Sequence, residues 1–137
     1  MQTYTRPPLQ LAPVGVTFQD GLTLDRATVE PVDLPAGDVL AVHMQWVGSQ
    51  EGLTGTEKIT LQVLNDQNQM VAQRDEPFTA ATVGAAPGTY GILLPEGVPA
   101  GTYRVIAALY RPEQGGPGRL LTTNGSDFVS LATIQIR

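Results

Sequence analysis

The apolar residues of this chain recur at every second position far more often than at every third or fourth. The clearest run is VLAVHMQWV, in which four large residues fall on alternate positions: Leu40, Val42, Met44 and Trp46. A period of two places these side chains on one face of an extended strand, with the residues between them on the other face. The pattern predicts strands with one buried face and no long helix.

Turn signals divide the chain into about nine such strands. The 137 residues include 15 glycines and 11 prolines, well above the average of roughly 12% for the two together. Short strands separated by frequent turns predict an all-β domain, here a two-layer antiparallel β-sandwich with Ig-like or jelly-roll-like Greek-key connections. Residues 14–137 are predicted to form this single domain. Residues 1–13 carry Pro7, Pro8 and Pro13 and are predicted to be a linker or N-terminal extension.

The same alternation predicts the core of the sandwich. The expected inward residues come from three strands: Leu40, Val42, Met44, Trp46, Ile59, Leu61, Val63, Tyr103, Val105 and Leu109. In LTLDRATVE the inward side switches from Leu22 and Leu24 to Ala27 and Val29. Such a switch indicates a β-bulge or a bend near Asp25-Arg26. The segment 58–74 predicts a hairpin whose turn is Asn65-Asp66-Gln67-Asn68.

The triplet Pro-Ala-Gly stands before two of the long strands, at residues 35–37 and 99–101. Proline presets one backbone angle and glycine tolerates a strained corner, so the triplet predicts a turn. Tyr103 follows the second triplet at the start of a strand. It resembles a tyrosine corner, in which the hydroxyl is tied to backbone a few residues upstream.

Several function classes are disfavoured by the residues. The net charge is −5 and the eight Lys and Arg residues are dispersed, whereas nucleic-acid binding needs clustered cations. No apolar run reaches the ~20 residues that span a bilayer. With no cysteine and the single histidine His43, neither a metal site, a cofactor site nor a catalytic triad is predicted. His43 is interpreted as a solvated or partly packed sheet residue, and Asn124-Gly125-Ser126 as a glycosylation sequon or simply a turn.

Paired carboxylates, which a glycosidase would need, are not predicted either. Asp75 and Glu76 are adjacent and would face opposite sides of a strand. Recognition of sugar without catalysis would instead need accessible aromatic faces with polar neighbours. The expected ligand-contact candidates lie on outward positions or near loops: Tyr110, Arg111, Gln114, Tyr90 and Phe78.

Three phrases occur in an order typical of one bacterial domain: LPAGDVLAVHMQW, ITLQVLNDQNQMVAQRD and LPEGVPAGTYRVIAALYRPEQGGPGRLL…SLATIQI. The chain resembles, over about residues 14–137, the C-terminal β-sandwich of multi-pass membrane proteins related to family 39 (protein O-mannosyltransferase-like) glycosyltransferases. It departs from that pattern at AAPGTYG, where family members usually carry Trp followed by a Pro-Gly-Glu turn.

The resemblance implies a non-catalytic accessory domain on the extracytoplasmic face of the membrane, soluble when isolated and joined to a membrane domain of the same polypeptide. Two functions remain open at this stage. One is recognition or positioning of a cell-envelope glycan near the glycosyltransferase. The other is a structural or protein-interaction module that contacts partners through its edge strands. A free-standing enzyme is the least favoured alternative, because the usual catalytic constellations are missing.

Overall fold

A computed structural model describes residues 10–49, 51, 53–54, 56–79, 82–84, 87–111 and 119–137. These residues form nine strands and one 3-10 turn, Gln19–Gly21, and confirm the predicted all-β fold. The strands are β1 (Ala12–Phe18), β2 (Leu22–Glu30), β3 (Asp33–Leu34), β4 (Val39–Gly48), β5 (Lys58–Leu64), β6 (Met70–Pro77), β7 (Gly88–Leu93), β8 (Gly101–Tyr110) and β9 (Val129–Ile136).

The strands make two sheets that enclose the core. The four-stranded sheet has the order β1-β2-β4-β7 and the five-stranded sheet the order β3-β9-β8-β5-β6. Neighbours pair antiparallel except β3 and β9, which are parallel. Between β2 and β4, and again between β4 and β7, the chain crosses to the five-stranded sheet and returns. Between β6 and β8 it crosses to the four-stranded sheet and returns. Such crossovers are typical of Greek-key sandwiches and confirm the predicted two-layer architecture.

The core is the one that the alternation predicts. All ten predicted core side chains are at most 5% exposed. Trp46 packs between two other aromatic rings, Phe18 at a centroid distance of 5.9 Å and Phe78 at 5.0 Å. Burying an aromatic or aliphatic side chain of this size stabilises a fold by about 1.5–3 kcal/mol. The inward rows of the two sheets therefore hold the sandwich together.

The predicted irregularity in β2 is present, and it is a β-bulge. The register between β2 and β4 shifts between Leu24 and Arg26, so Leu24 pairs with Trp46 and Arg26 pairs with Gln45. The extra residue, Asp25, lets the inward side change from Leu24 to Ala27 without turning an apolar residue to solvent. The bulge therefore reconciles two apolar patterns within one strand.

Both Pro-Ala-Gly triplets lie at turns, as predicted. Gly37 has a φ of 89° and Gly101 a φ of 154°, a region that residues with a Cβ seldom adopt. After the second triplet, the Tyr103 hydroxyl donates to the Pro99 carbonyl oxygen at 2.6 Å. This bond, four residues upstream, confirms the tyrosine corner.

The 58–74 hairpin is also confirmed, as β5 and β6. Its turn is closed by the Asn65 side chain, whose Oδ1 accepts the backbone N–H groups of Gln67 and Gln69 at 2.9 Å each. Asn68 adopts a φ of 61°, which asparagine tolerates better than most residues. The polar cluster is thus a turn built by asparagine side chains.

Three details of the strand pattern differ from the prediction. Strand β1 begins at Ala12, two residues earlier than expected, and the short β3 was not foreseen. The segment 120–123, whose sequence LLTT has the apolar and β-branched residues of a strand, forms only isolated contacts. Leu120 donates its N–H to Leu109 of the five-stranded sheet, while Thr122 bridges Phe18 of the other sheet. Because this segment crosses from one sheet to the other, neither ladder can extend along it.

Candidate functional site

Tyr110, the last residue of β8, points outward from the five-stranded sheet. It pairs with Lys58 on one side and forms a bridge to Arg119 on the other. Outward residues of β5 and β6 lie beside it and complete a shallow depression of ≈180 Å³. We call this surface the Tyr110 face; it is lined by Thr60, Gln62, Gln73, Asp75, Tyr110 and Arg119.

Hydrogen bonds join the polar side chains of the Tyr110 face. The Tyr110 hydroxyl donates to Asp75 Oδ2 at 3.2 Å, and Gln73 Nε2 donates to Asp75 Oδ1 at 2.9 Å. Gln73 Nε2 also lies 3.2 Å from Thr60 Oγ1, and Gln62 Nε2 lies 3.4 Å from the same oxygen. The carboxylate, the amides and the hydroxyls are therefore held in fixed positions before any ligand arrives.

Asp75 is ionised at neutral pH. Burial by itself raises its pKa, but hydrogen bonds from Thr60, Gln73 and Tyr110 and the charge of Lys58 lower it below the ordinary value. The pKa of Tyr110 is raised, first by burial and then by the charge and hydrogen bond of Asp75. The phenol thus stays protonated and remains a donor throughout the physiological range.

Two apolar residues of β8 are buried on the outward side of the five-stranded sheet, a feature that the alternation did not predict. Ile106 pairs with Gln62, and Ala108 pairs with Thr60, on the outward side of the sheet. Both are nonetheless buried, at 3% and 0% exposure. The part of the Tyr110 face that a ligand can reach is therefore the aromatic ring of Tyr110 with the polar side chains around it. Such a ring can contact a carbon skeleton while the hydroxyl, amide and carboxylate groups orient its polar substituents.

Arg111 was predicted to be a polar neighbour of Tyr110 at a binding site, but the structure places its side chain away from the Tyr110 face. As the next residue in the chain, Arg111 turns to the other side, where its Nε lies 2.6 Å from Glu57 Oε2. The two side chains are only 10% and 0% exposed. Its guanidinium is therefore part of a buried ion pair that ties two distant segments together.

The carboxylate of Glu57 is held by more than Arg111. The Thr54 N–H donates to both carboxylate oxygens, at 3.0 and 2.9 Å. Burial raises the pKa of Glu57, but these backbone hydrogen bonds and the Arg111 guanidinium outweigh it and lower the pKa to about 2. Glu57 and Arg111 are accordingly charged together at any ordinary pH.

Phe78, another predicted ligand contact, lies in the core. Its side chain is 0% exposed and meets Trp46 edge-on, with an interplanar angle of 84°. The Phe78 N–H donates to the Glu57 carbonyl oxygen at 2.9 Å, which directs the ring inward just after β6 ends. No ligand can reach this ring in the folded sandwich.

Tyr90 lies apart from the Tyr110 face and does not point outward as expected of a ligand contact. It pairs with inward-facing Val42 and shares that side with Ile92 and Leu94. Its ring packs partly buried at the edge of the four-stranded sheet. Its pKa is raised by burial and by Glu76, and lowered less by Arg74. Gln114, the fifth predicted contact, falls outside the described residues.

His43 occupies the outer face of the four-stranded sheet. Its Nδ1 lies 2.8 Å from Thr89 Oγ1 and its Nε2 lies 3.4 Å from Glu30 Oε1. The residue is 8% exposed, so the interpretation as a partly packed sheet residue is confirmed. The imidazole links the central strand β4 to both of its neighbours.

Comparison with known proteins gives a fold and one partial sequence match. No family model matches the chain. The ribosome maturation factor RimM of Methylorubrum extorquens (strain PA1) is 28% identical over 85 residues, or 61% of this chain, and the chain spans 38% of that relative's length. A solved structure, the C-terminal domain of wzt, aligns with a TM-score of 0.54 at 12% identity over 96% of this chain and 80% of that chain.

The structural likeness supports the β-sandwich that the sequence resemblance implied. At this level of identity it shows the fold alone. Among the described residues, no helix is long and apolar enough to cross a membrane. The relation to family 39 glycosyltransferases and the extracytoplasmic location remain predictions.

Proposed function

We propose that this β-sandwich is a non-catalytic domain that recognises glycan through the Tyr110 face. The observation that carries the proposal is the hydrogen-bonded group of Tyr110, Asp75, Gln73 and Thr60, fixed on the outer side of a sheet. Sugars present hydroxyl groups that both donate and accept hydrogen bonds, together with apolar C–H faces. Carboxylate, amide and hydroxyl groups beside an aromatic ring match both properties.

The dimensions of the Tyr110 face favour binding of one sugar residue within a longer polymer. Its volume of ≈180 Å³ is below the roughly 300–1,000 Å³ of pockets that enclose a small molecule. An open depression lets the rest of a chain continue on either side. Binding at one such site is weak, in the millimolar range, as suits a domain that holds a polymer near another active site.

We further propose that the domain serves a membrane glycosyltransferase related to family 39, on the extracytoplasmic face, with catalysis located elsewhere in the polypeptide. The order of the three phrases, from the first Pro-Ala-Gly strand to the final strand, supports this context. The sandwich shared with the C-terminal domain of wzt agrees with an appended, independently folded unit.

A role on ribosomal RNA, which the name of the RimM relative raises, is less well supported. The match covers 38% of that protein, and this chain carries a net charge of −5. RNA-binding surfaces concentrate cations, because phosphate contacts provide most of the affinity. On the described sheet faces, Arg119 and Arg137 are paired with aspartates, at 3.5 and 2.8 Å.

The alternative of a protein-interaction module is favoured by a different surface. Val39 and Leu93 pair directly across β4 and β7 and are 56% and 66% exposed. Strand β7 is the edge of its sheet and contains no charged residue. Exposed apolar pairs at a neutral edge are suited to strand addition by a partner.

Titration with a panel of cell-envelope oligosaccharides, followed by backbone amide NMR, distinguishes these two functions. Glycan recognition predicts shifts at Thr60, Gln73 and Tyr110. Tyr110→Ala should weaken binding about tenfold, the loss expected when an aromatic contact and a hydrogen bond are both removed. Tyr110→Phe keeps the ring and should lose only part of that affinity.

Gln73→Ala, which removes the amide that contacts Asp75 and Thr60, should also weaken sugar binding, and Gln67→Ala is its matched control. Gln67 is an exposed turn residue at the end of the same hairpin, so its removal should leave sugar binding unchanged. If no oligosaccharide of the panel shifts these amide signals at millimolar concentration, glycan recognition is rejected. Shifts confined to residues 88–93 on adding a protein partner would support the interaction module instead.

A further inference from the structure

A second depression, with a volume of ≈480 Å³, lies on the outer side of the four-stranded sheet. Its described lining consists of Gln10, Leu11, Arg26, Gln45 and Pro87. It belongs to a different sheet from the Tyr110 face, and it combines one cation with two amides and two apolar side chains. We propose that this depression, called here the Arg26 cavity, binds an anionic group, carboxylate or phosphate, carried by a compact organic molecule.

The β2 bulge is what presents Arg26 to this cavity. Leu24 points inward, so unbroken alternation would turn Arg26 inward as well. The extra residue Asp25 shifts the register, and Arg26 instead pairs with Gln45 on the outward row. Without the bulge, a guanidinium would be directed at the apolar core.

A second bulge lies opposite the first, in β1. The register between β1 and β2 shifts between Pro13 and Val16, and Pro13 pairs with Arg26 itself. Gly15, inside this bulge, has a φ of 67°, which a glycine adopts without strain. Two bulges on neighbouring strands at one level are a local departure from regular pairing. Bulges of this kind are often found where a sheet redirects a side chain toward a site.

The guanidinium of Arg26 is only weakly engaged by its surroundings. Its ion pair with Asp25 has an Nε–Oδ2 distance of 3.9 Å, and the side chains are 54% and 47% exposed. An exposed pair at that distance contributes little and is readily exchanged for a better acceptor. The planar fork of N–H donors fits a carboxylate or a phosphate through two parallel hydrogen bonds.

The remaining lining residues define the rest of the ligand. The amides of Gln45 and Gln10 can donate to further oxygens of the anion or accept from hydroxyl groups next to it. Leu11 and Pro87 offer apolar contact to a short carbon skeleton. An acidic sugar and a phosphorylated polyol both have this combination, and their shared chemistry is an anion beside hydroxyl groups.

NMR titration of the whole chain with glucuronate, glycerol 3-phosphate and neutral glucose tests the proposal. Both anions, or one of them, should shift the Arg26 Nε–H signal and the amides of Leu11 and Gln45, and glucose should not. The anion that binds more tightly identifies the carboxylate or the phosphate class. Shifts at Thr60, Gln73 and Tyr110 would instead report the Tyr110 face, so the two sites are distinguished in one spectrum.

Variants distinguish a specific anion site from nonspecific attraction of the anion to any arginine. Arg26→Gln should weaken anion binding about tenfold or more, and Arg26→Lys should recover only part of it, because an ammonium lacks the two-pronged geometry. Arg137→Gln is the control: Arg137 is an exposed arginine paired with Asp33 at 2.8 Å on the other sheet. The proposal is overturned if neither anion shifts these signals at millimolar concentration, or if both glutamine variants weaken binding equally.

Discussion

The Tyr103 hydroxyl donates a 2.6 Å hydrogen bond to the carbonyl oxygen of Pro99. The bond fixes the Pro-Ala-Gly turn against the first residues of β8, the strand that leads to Tyr110. A turn that follows a crossover between two sheets has few contacts of its own. The tyrosine corner therefore aligns the start of β8 with the core beneath it.

Tyr103→Phe should lower the free energy of unfolding by about 1 kcal/mol, the usual net contribution of one such hydrogen bond. Denaturant unfolding can be followed through Trp46, the single tryptophan, which is 2% exposed. Tyr90→Phe is the control, since the described residues give its hydroxyl no acceptor. Equal midpoints for Tyr103→Phe and the unchanged chain would show that the corner does not stabilise the fold.

Removal of Arg111 should be far more damaging. Arg111→Met leaves the Glu57 carboxylate buried without its guanidinium partner, and breaking a buried pair in this way costs about 3–5 kcal/mol. Arg137→Met removes an exposed pair with Asp33 and should cost less than about 1 kcal/mol. Similar losses in the two variants would contradict the buried role of the Glu57–Arg111 pair.

The same pair predicts how stability depends on pH. The pKa of Glu57 is lowered from 4.5 to about 2 in the folded chain, so its contribution is complete above pH 4.5. It declines as the pH falls from 4.5 toward 2, where folded and unfolded chains both become protonated. Glu57→Gln should therefore flatten the acid limb of a plot of unfolding midpoint against pH. An unchanged acid limb would contradict the lowered pKa.

Residue alternation was sufficient to predict the core but not every buried residue. The period of two predicted that alternate residues from Leu40 to Trp46 point inward, and a break in that period indicated the irregularity in β2. Each of these features can be recognised within a single strand. Phe78 follows a strand end, where no period applies, and its position depends on the hole beside Trp46. Ile106 and Ala108 are buried on the outward side because side chains of neighbouring strands surround them.

The candidate site shows the same limit. The outward direction of Tyr110 followed from its opposite parity to Leu109 within β8. Which side chains surround it depends on the register of three strands, and this register pairs Thr60 with both Ala108 and Asp75. A single sequence does not fix pairing between strands that are distant in the chain. The alternating hydroxyl and amide residues of β5 were the signal available for one wall of the site.

Phe78→Ala should destabilise the fold by about 3–5 kcal/mol, since it leaves a cavity beside Trp46. Phe78→Leu, which retains most of the volume, should cost much less, and both can be measured by denaturant unfolding. In conditions where Phe78→Leu remains folded, its sugar binding should equal that of the unchanged chain. Weaker binding by a folded Phe78→Leu would restore Phe78 as a ligand contact.

Strand β7, the edge of the four-stranded sheet, is contacted by a side chain from the other sheet. Arg74 of β6 reaches across to β7, where its Nη1 donates to the Gly91 carbonyl oxygen at 2.8 Å. That carbonyl faces away from β4, and in an antiparallel strand the backbone groups of Thr89 and Leu93 face the same way. Arg74 thus covers part of a row of groups that could pair with another strand.

Arg74→Ala should uncover this row beside the exposed pair Val39 and Leu93, and the chain should self-associate more than the unchanged protein. Sedimentation equilibrium over a range of concentrations measures the effect as a rise in average mass. Adding Leu93→Lys should reverse it, because a lysine at a sheet edge opposes strand pairing. Arg104→Ala, which instead removes a contact with Asn68 on the other sheet, is the matched control. If Arg74→Ala and Arg104→Ala have the same average mass, Arg74 does not protect the edge, and the apolar pair at β7 needs no cover.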